Sequence, residues 1–428
     1  TIAHVITVSG NNAINVPRNI TIANGGSIIT AGNAVASNTG TITIDAGGAM
    51  TLGSNSTWTS SSSVTNNGTI SFNASFISTL KLNAGTFSNN GTLTLGVGNI
   101  ATAGTVTLTG TTTFNSLTLS GATTLPAGST INGTLTLNTG GSLVSNSPSY
   151  GPSATLVYGK SSTGTGLEWI LGATVGTAGA PEHVTVNSGS TLTLNGTGTY
   201  YVDGNLSIAG TLTMSGSSLL EVDGNMSGGG TFTHGNRKVT FNGTTQTVSI
   251  STTFYDVDVN SSSFTLTGTV TVNRIMNISA NTAVTLSGTL DIASSSGSPS
   301  NLYGSLVNTG TISISNSTGF ILQSGSTYVH NTTTSVSNIA GVTKNANSTF
   351  IFRGSSSLSA AVSISSRTYG HLRFESTSGT WSPTPGGSTA TTINGNLFIG
   401  NGVSLTGNTY TGTLTINGNV VVDGIMPS

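Results

Sequence analysis

Two aspartates separated by one residue are the clearest candidates for catalysis. Asp256 and Asp258 stand in the alternating segment Phe254-Tyr-Asp-Val-Asp-Val259, and alternate residues of a β-strand point to the same face of the sheet. Two carboxylates that reach one ligand are what glycoside hydrolysis requires. In the related segment 114–119 the same positions hold Ser and Thr. That replacement favours the alternative interpretation, in which both aspartates simply face solvent.

Three arginines could serve as the base of a polysaccharide lyase: Arg274, Arg353 and Arg373. The sequence places no acidic cluster near them for a calcium ion. It also contains no recognisable Ser-His-Asp arrangement, and its glycine-rich stretches indicate corners rather than a phosphate-binding loop. The sequence therefore predicts a protein that is not an enzyme and that needs no cofactor.

A second group of carboxylates could bind calcium. The segment Val202-Asp-Gly-Asn205 returns as Val222-Asp-Gly-Asn225. Asp203 and Asp223 are thus expected to stack on adjacent coils about 4.8 Å apart, with Glu221 close by. Two or three carboxylates with backbone carbonyls can hold Ca²⁺. The alternative, which the pattern favours, is that each Asp-Gly pair only forms a corner.

Four aromatic side chains are candidates for contact with a ligand or partner. Tyr150, Tyr158, Trp169 and Trp381 stand in or beside stretches that contain several prolines. Proline cannot donate a hydrogen bond to a strand ladder, so these stretches are predicted to include loops. Rings on such loops could stack on sugars, and the alternative is that they pack onto the neighbouring strands.

The elements that must position these residues are short strands. Residues 184–233 alternate apolar residues with Thr and Ser and are broken by glycine every few residues, which predicts strands with one buried face separated by sharp corners. The motif Asn-Asn-Gly-Thr at 66–69 and 89–92 is typical of a corner, because Asn and Gly tolerate left-handed backbone. A self-similar unit of about 20 residues buries its apolar face only when copies stack. We therefore predict an all-β parallel β-helix, or β-solenoid, of about twenty coils, right-handed by the usual crossover rule.

The composition fits stacked coils. Charged residues make up only 5% of the chain, against a usual ~25%, and like charges repeated every ~4.8 Å would repel along a stack. Thr and Ser avoid that repulsion and can hydrogen-bond from coil to coil. The net charge of −1 and the scattered cations lack the basic stripe that nucleic-acid binding requires. No apolar run is long enough for a membrane-spanning segment, and without cysteine there is no disulfide or thiolate site.

The pattern predicts one continuous solenoid over 1–428, with irregular or loop insertions at 144–183 and 376–392. The repeat pattern continues through Thr413-Leu-Thr-Ile416 and Val420-Val-Val-Asp423 with no polar cap. Because the first residue is Thr1, we expect either that a signal peptide has been removed or that the sequence is a piece of a longer protein.

Longer blocks also repeat, and they carry a resemblance. The segments VTFNGTTQTVSISTTFYDVDVNSSSFTLTGTVTVN (239–273) and TLVYGKSSTGTGLEWILGATVGTAGAPEHVTVNSGSTLTL (155–194) resemble repeats of very large secreted surface proteins of bacteria, including adhesin-like proteins of the Bacteroidetes and the β-strand repeats of autotransporter passenger domains. The resemblance covers residues 100–428 and, more loosely, the first hundred. It implies a right-handed parallel β-helix displayed outside the cell, and it transfers no catalytic residue.

Three functional classes follow. The first is a non-catalytic extracellular structural protein, a subunit or segment of a surface filament, sheath or layer that associates end to end or laterally with copies of itself. The second is the stalk of a cell-surface adhesin that binds glycans, such as cell-surface polysaccharide, or neighbouring surfaces. The third is a polysaccharide lyase or hydrolase. Low charge, polar outer faces and an uncapped pattern favour the first.

Overall fold

The chain is a β-solenoid throughout the part that the structure describes. The computed structural model describes residues 1–110, 113–294, 297–336, 339, 341–357, 362–405 and 409–426. It is an all-β parallel β-solenoid of about 18 coils, with 52% of residues in strands and 1% in helices. The predicted fold class is confirmed, with slightly fewer coils than the expected twenty. Two compact units, Thr1–Ser218 and Leu219–Ser428, are described in turn.

The first unit consists of short parallel strands. They are β1 (Val5–Val8), β2 (Ala13–Val16), β3 (Ile20–Ile22), β4 (Ser27–Thr30), β5 (Val35–Asn38), β6 (Ile42–Ile44), β7 (Ala49–Leu52), β8 (Thr57–Ser60), β9 (Val64–Asn66), β10 (Thr69–Phe72), β11 (Thr79–Leu82), β12 (Gly85–Asn89), β13 (Thr92–Thr94), β14 (Asn99–Thr102), β15 (Val106–Thr109), β16 (Thr113–Leu119), β17 (Ala122–Thr124), β18 (Thr130–Leu137), β19 (Ser142–Ser145), β20 (Ser149–Tyr150), β21 (Thr155–Tyr158), β22 (Ser162–Thr163), β23 (His183–Val186), β24 (Thr191–Leu194), β25 (Thr197–Val202), β26 (Leu206–Ile208) and β27 (Thr211–Met214).

Three parallel ladders organise most of this unit. One runs β1-β4-β7-β10-β13, a second runs β3-β6-β9-β12-β15-β17-β19, and a third begins β2-β5-β8-β11-β14-β16-β18 and continues through β21 and β23 to β26. In the first ladder Val5 pairs with Ser27, and Ser27 pairs with Ala49. Each coil of this region therefore contributes one strand to each ladder, as a stacked repeat of about 22 residues should.

The second unit has the same kind of architecture. Its strands are β28 (Ser217–Val222, whose first two residues precede the division), β29 (Met226–Ser227), β30 (Thr231–Thr233), β31 (Lys238–Phe241), β32 (Thr245–Val248), β33 (Thr252–Val259), β34 (Ser263–Leu266), β35 (Thr269–Ile278), β36 (Ala283–Leu286), β37 (Thr289–Ile292), β38 (Ser300–Leu302), β39 (Ser305–Asn308), β40 (Thr311–Ile314), β41 (Phe320–Leu322), β42 (Thr327–His330), β43 (Thr343–Lys344), β44 (Thr349–Gly354), β45 (Thr368–Tyr369), β46 (His371–Ser376), β47 (Gly386–Gly387), β48 (Thr391–Ile393), β49 (Leu397–Ile399), β50 (Thr409–Tyr410), β51 (Leu414–Ile416) and β52 (Val420–Val422), with one 3₁₀ turn, η1 (Ser317–Gly319).

Two ladders of the second unit matter for the candidate sites. One contains β31-β33-β35-β38-β41 and ends at β43, while β45-β48-β51 form a separate sheet. The other runs β42-β44-β46-β49-β52. The long strands β33 and β35 change register between Phe254 and Asp256, so that Asp256 lies opposite Ile275. Such a bulge re-aims the side chains that follow it.

Alternation of apolar and polar residues produces the core. In β21 the side chains of Leu156 and Tyr158 are fully buried, whereas Thr155 and Val157 are partly exposed. Val184 and Val186 of the next coil lie directly against that pair. Each fully buried aliphatic side chain contributes about 1.5 to 3 kcal/mol through removal from water, so the inward positions account for most of the driving force.

The Asn-Asn-Gly-Thr segments form corners, but their glycines do not adopt the left-handed backbone that the sequence suggested. A Cβ on Gly68 would lie 2.3 Å from the carbonyl oxygen of Gly48, and one on Gly91 would lie 2.2 Å from that of Gly68. Gly68 and Gly91 are absent from the residues with positive φ. Glycine is needed here because successive coils approach too closely for any side chain. Beside it, Asn90 Nδ2 donates to Asn67 Oδ1 at 3.1 Å.

The two proline-containing stretches are only partly irregular. Strands β20, β21 and β22 lie within 144–183, and residues 164–182 contain no strand. That strand-free segment is tied down by backbone hydrogen bonds, including Gly172 N to Thr199 O at 2.9 Å and Gly179 N to Pro148 O at 2.8 Å. In 376–392 the short strand β47 pairs with β50. Within the described ranges, no helix has the length and apolarity that crossing a membrane would require.

Candidate functional site

Asp256 and Asp258 share the outer face of β33, and each is bound by a cation on a neighbouring coil. Lys238 Nζ lies 2.7 Å from Asp258 Oδ2. The Arg274 guanidinium donates from Nε to Asp256 Oδ1 at 2.8 Å and from Nη2 to Oδ2. Two parallel hydrogen bonds of this kind form the strongest type of exposed ion pair. They also raise the pKa of Arg274, since the hydrogen bond favours its charged form.

This geometry favours ion pairing over catalysis. A catalytic carboxylate must reach the reacting atoms within hydrogen-bond distance, whereas both carboxylates already accept hydrogen bonds from protein groups. Asp258 additionally accepts from Asn277 Nδ2 at 3.0 Å. The shallow depression beside them is lined by the same charged groups, Lys238, Asp256, Asp258 and Arg274. The structure thus brings the predicted pair together but leaves it engaged within the solenoid.

An amide ladder extends from this acidic pair along four further coils. Asn277 Oδ1 accepts from Asn301 Nδ2 at 3.0 Å. Asn301 Oδ1 accepts from Gln323 Nε2 at 2.7 Å, and Gln323 Oε1 accepts from Asn345 Nδ2 at 2.7 Å. Each side chain donates to the preceding coil, and the series ends on the Asp258 carboxylate. Stacked Asn and Gln side chains stabilise parallel strands by this means.

An aromatic and cationic cluster lies beside the acidic pair. The Arg274 guanidinium carbon is 5.0 Å from the centre of the Tyr255 ring, and that ring stacks on His234 with centroids 5.7 Å apart. Asn273 Nδ2 is 3.3 Å from His234 Nε2. Partial burial lowers the pKa of His234. These contacts join three coils on the outer face.

The other two arginines share one carboxylate. Arg353 Nη2 lies 2.7 Å from Glu375 Oε2, and Arg373 Nη2 lies 3.0 Å from Glu375 Oε1. The guanidinium of Arg373 also stands 5.1 Å from the centre of the Phe398 ring. Both predicted lyase bases therefore take part in an ion-pair network between adjacent coils.

The calcium candidates fall in both units. In the first unit, Asp203 Oδ2 accepts from the backbone of Gly176 at 3.3 Å. In the second, Glu221 Oε1 accepts from Asn242 Nδ2 at 3.2 Å, and the pKa of Asp223 is raised by burial and by the nearby Glu221 charge. Over the described ranges, no group of three or more His, Asp or Glu side chains could hold a metal ion. The calcium site stays a prediction.

Three of the four aromatic candidates are buried. Tyr158 and Trp169 are fully buried and Trp381 is 2% exposed, whereas Tyr150 is partly exposed. Trp381 packs against the bare backbone of Gly354, where a Cβ would lie 2.3 Å from its ring. This burial favours the packing alternative for these rings, and ligand contact stays a prediction.

Two of these rings hydrogen-bond to Glu168, which is buried. Tyr158 Oη donates to Glu168 Oε1 at 3.1 Å, and Tyr150 Oη donates to the Glu168 carbonyl oxygen at 2.7 Å. Burial, followed by the Glu168 charge, raises the pKa of both tyrosines well above the usual value. The adjacent Trp169 donates from Nε1 to Tyr201 O at 3.0 Å. Together these bonds attach the strand-free segment 164–182 to the coils beneath it.

Two buried basic side chains, His330 and Lys344, are not among the candidate residues that the sequence indicated. His330 is fully buried, and Lys344 is 8% exposed. The signal for Lys344 was present, since Ile321-Leu322 pairs with Thr343-Lys344 and the lysine occupies an inward position that holds leucine one coil earlier. His330 likewise pairs with Phe352 in the next coil.

Comparison with known proteins found no match: the chain matches no protein-family model, no curated protein and no solved structure.

Proposed function

We propose that the chain is a non-catalytic extracellular structural segment, part of a surface filament, sheath or layer that associates with copies of itself. Its mechanism is mechanical: backbone hydrogen bonds from coil to coil resist extension. Support comes from the resemblance of its repeats to secreted bacterial surface proteins and from its low charge, which permits close stacking of like positions.

The observation that carries the proposal is the way outer polar groups are used. The side chains best suited to chemistry, Asp256, Asp258 and Glu375, bind cations of neighbouring coils. The amide ladder that starts at Asp258 continues this pattern over four more coils. Side chains engaged in this way strengthen contacts between coils rather than bind a substrate.

In the purified chain, strand β52 presents an edge at which a second copy can pair. Its residues Val420, Val421 and Val422 are 47%, 38% and 42% exposed, and in the described residues it pairs with β49 on one side. An exposed apolar strand edge is a template for a strand of another chain. A charged residue at such an edge is the usual means of preventing that pairing.

The stalk of an adhesin is the alternative. Val144 and Val175 are 54% and 57% exposed, and both lie within 144–183, a stretch predicted to contain contact loops. Exposed apolar side chains suit contact with a partner surface. In this case the binding domain would lie elsewhere in a longer protein, and the purified chain would remain monomeric.

Negative-stain electron microscopy of the purified chain over a concentration series tests the proposal. We expect fibres that lengthen with concentration. We expect Val421→Lys to prevent them, while Val157→Lys, at a partly exposed strand position of the first unit, leaves them intact. Single particles at every concentration would exclude self-assembly and favour the stalk, for which a glycan array is the next assay. Release of reducing ends from a polysaccharide, abolished by Asp256→Asn, would overturn the non-catalytic assignment.

A further inference from the structure

A polar cleft opens where one ladder of the second unit is interrupted. The sheet that contains β41 ends at β43, and the separate sheet of β45, β48 and β51 begins one coil later. Between them lies a cleft of about 390 Å³ lined by residues 341–344 and 366–368. That volume is in the range of small-molecule sites.

Two cations line this cleft. Lys344 is 8% exposed, and its Nζ donates to Val342 O at 2.9 Å and stands 5.0 Å from the centre of the Tyr369 ring. Arg367 lines the same cleft, and its Nη1 donates a hydrogen bond to Ser363 O at 2.7 Å. Burial, and then the Arg367 charge, lower the pKa of Lys344 to about 7.

The local charge balance is positive. Over residues 341–376 the sequence holds four cations and a single carboxylate, Glu375, and that carboxylate binds Arg353 and Arg373. The positive potential at Lys344 and Arg367 is thus not offset by a nearby acidic residue of this segment. Charged groups of one sign in a recess focus the field on a ligand of opposite sign.

The hydroxyl-bearing side chains and the backbone fit an oxyanion as well. Thr343, Ser366 and Thr368 line the cleft beside the cations and can donate hydrogen bonds to anionic oxygens. Ser366 has a left-handed backbone, with φ of 62°. Non-glycine residues adopt that conformation uncommonly, and those that do are concentrated at functional sites.

We propose that the cleft between β43 and β45 binds an oxyanion, a carboxylate or sulfate group carried on a ligand no larger than one sugar residue. Arg367 would bind two anionic oxygens through its planar fork, and Lys344 would supply a desolvated point charge. The aromatic rings of Phe350 and Tyr369 hold the Lys344 side chain in place. The site is independent of the structural role proposed above.

Isothermal titration calorimetry at low ionic strength tests this site, with sodium sulfate and sodium D-glucuronate as probes and D-glucose as the neutral control. We expect saturable binding of at least one anion and none of glucose. Lys344→Met and Arg367→Gln should each weaken binding roughly tenfold or more, while Lys81→Met, which removes a cation in the first unit, should not. Binding of sulfate alone would support a sulfate group as the anion that the cleft recognises, and binding of glucuronate would support a carboxylate.

Proton uptake provides a second readout that needs no variant. The titratable and charged groups beside Lys344 are Arg367 and Tyr369. An anion in the cleft favours the charged ammonium, so binding at pH 8, above the lowered pKa of Lys344, should be accompanied by net proton uptake, measured in two buffers of different ionisation enthalpy. Absence of saturable binding by either anion, or binding that both variants leave unchanged, would overturn the proposal.

Discussion

The buried histidine of β42 should make the second unit less stable as the pH falls. His330 is fully buried; its Nδ1 is 3.3 Å from Tyr328 Oη, and its Nε2 is 3.1 Å from Thr334 O. The carbonyl can only accept, so Nε2 carries a proton, and in the neutral ring Nδ1 accepts a hydrogen bond from the Tyr328 hydroxyl. Burial lowers the pKa of His330 from 6.5 to about 4.

The magnitude follows from the difference between the two states. In the unfolded chain the histidine takes up a proton as the pH falls through about 6.5, whereas in the folded chain it resists until about 4. The unfolded state therefore binds more protons over this window, and the free energy of unfolding must fall as the pH falls. At about 1.4 kcal/mol per pKa unit, the loss between pH 6.5 and pH 4 is about 3 kcal/mol.

Urea unfolding followed by circular dichroism at pH 7, 6, 5 and 4 measures this loss. His330→Gln keeps a polar side chain that does not titrate, so its stability should fall by about 3 kcal/mol less than that of the wild type over the window. His4→Gln, at an exposed position, is the matched control and should behave like the wild type. An NMR titration in which the His330 ring protonates with an ordinary pKa near 6.5 would refute the reasoning.

Three further predictions concern single positions. Gly68→Ala should destabilise the first unit by about 1 to 3 kcal/mol, because the added methyl group would meet a backbone carbonyl; Gly229→Ala, with nothing within 4 Å, should change the urea midpoint little. Lys344→Met should stabilise the second unit at pH 7 by at most about 5 kcal/mol. Burial disfavours the charged lysine in the folded state only, as its lowered pKa indicates, so the gain should disappear as the pH approaches 10.5. An unchanged melting temperature at pH 7 would contradict this prediction. Arg274→Gln should cost under about 1 kcal/mol, and a larger loss in urea unfolding would show that its pair with Asp256 is more than a surface ion pair.

The sequence by itself determined the fold class, because the information is local and repeated. Alternation with a period of two places Leu156 and Tyr158 inward and Thr155 outward before any contact is known. Because that pattern recurs about every 22 residues, stacked coils can bury the apolar faces of the strands. The sequence overestimated the number of coils. Segment 164–182 contributes no strand, so part of the length does not add to the stack.

The pairing of side chains was decided by tertiary structure alone. Alternation placed Asp256 and Asp258 on one face, but their engagement by Arg274 and Lys238 depends on the register of three coils, and the bulge after Phe254 shifts that register by one residue. Burial of Trp169 and Trp381 likewise depends on how their segments fold back onto the coils. Composition and spacing carry no signal for either arrangement.

The cleft at Lys344 likewise could be predicted from the sequence only in part. The repeat places this lysine in an inward position, so its burial could have been predicted from an alignment of coils. The interruption between β43 and β45, and the approach of Arg367 to the same recess, arise from the path of the chain between strands. Periodicity determines which way a side chain points within a coil, whereas the meeting of side chains from different coils is determined by register and corner geometry, which only the folded chain defines.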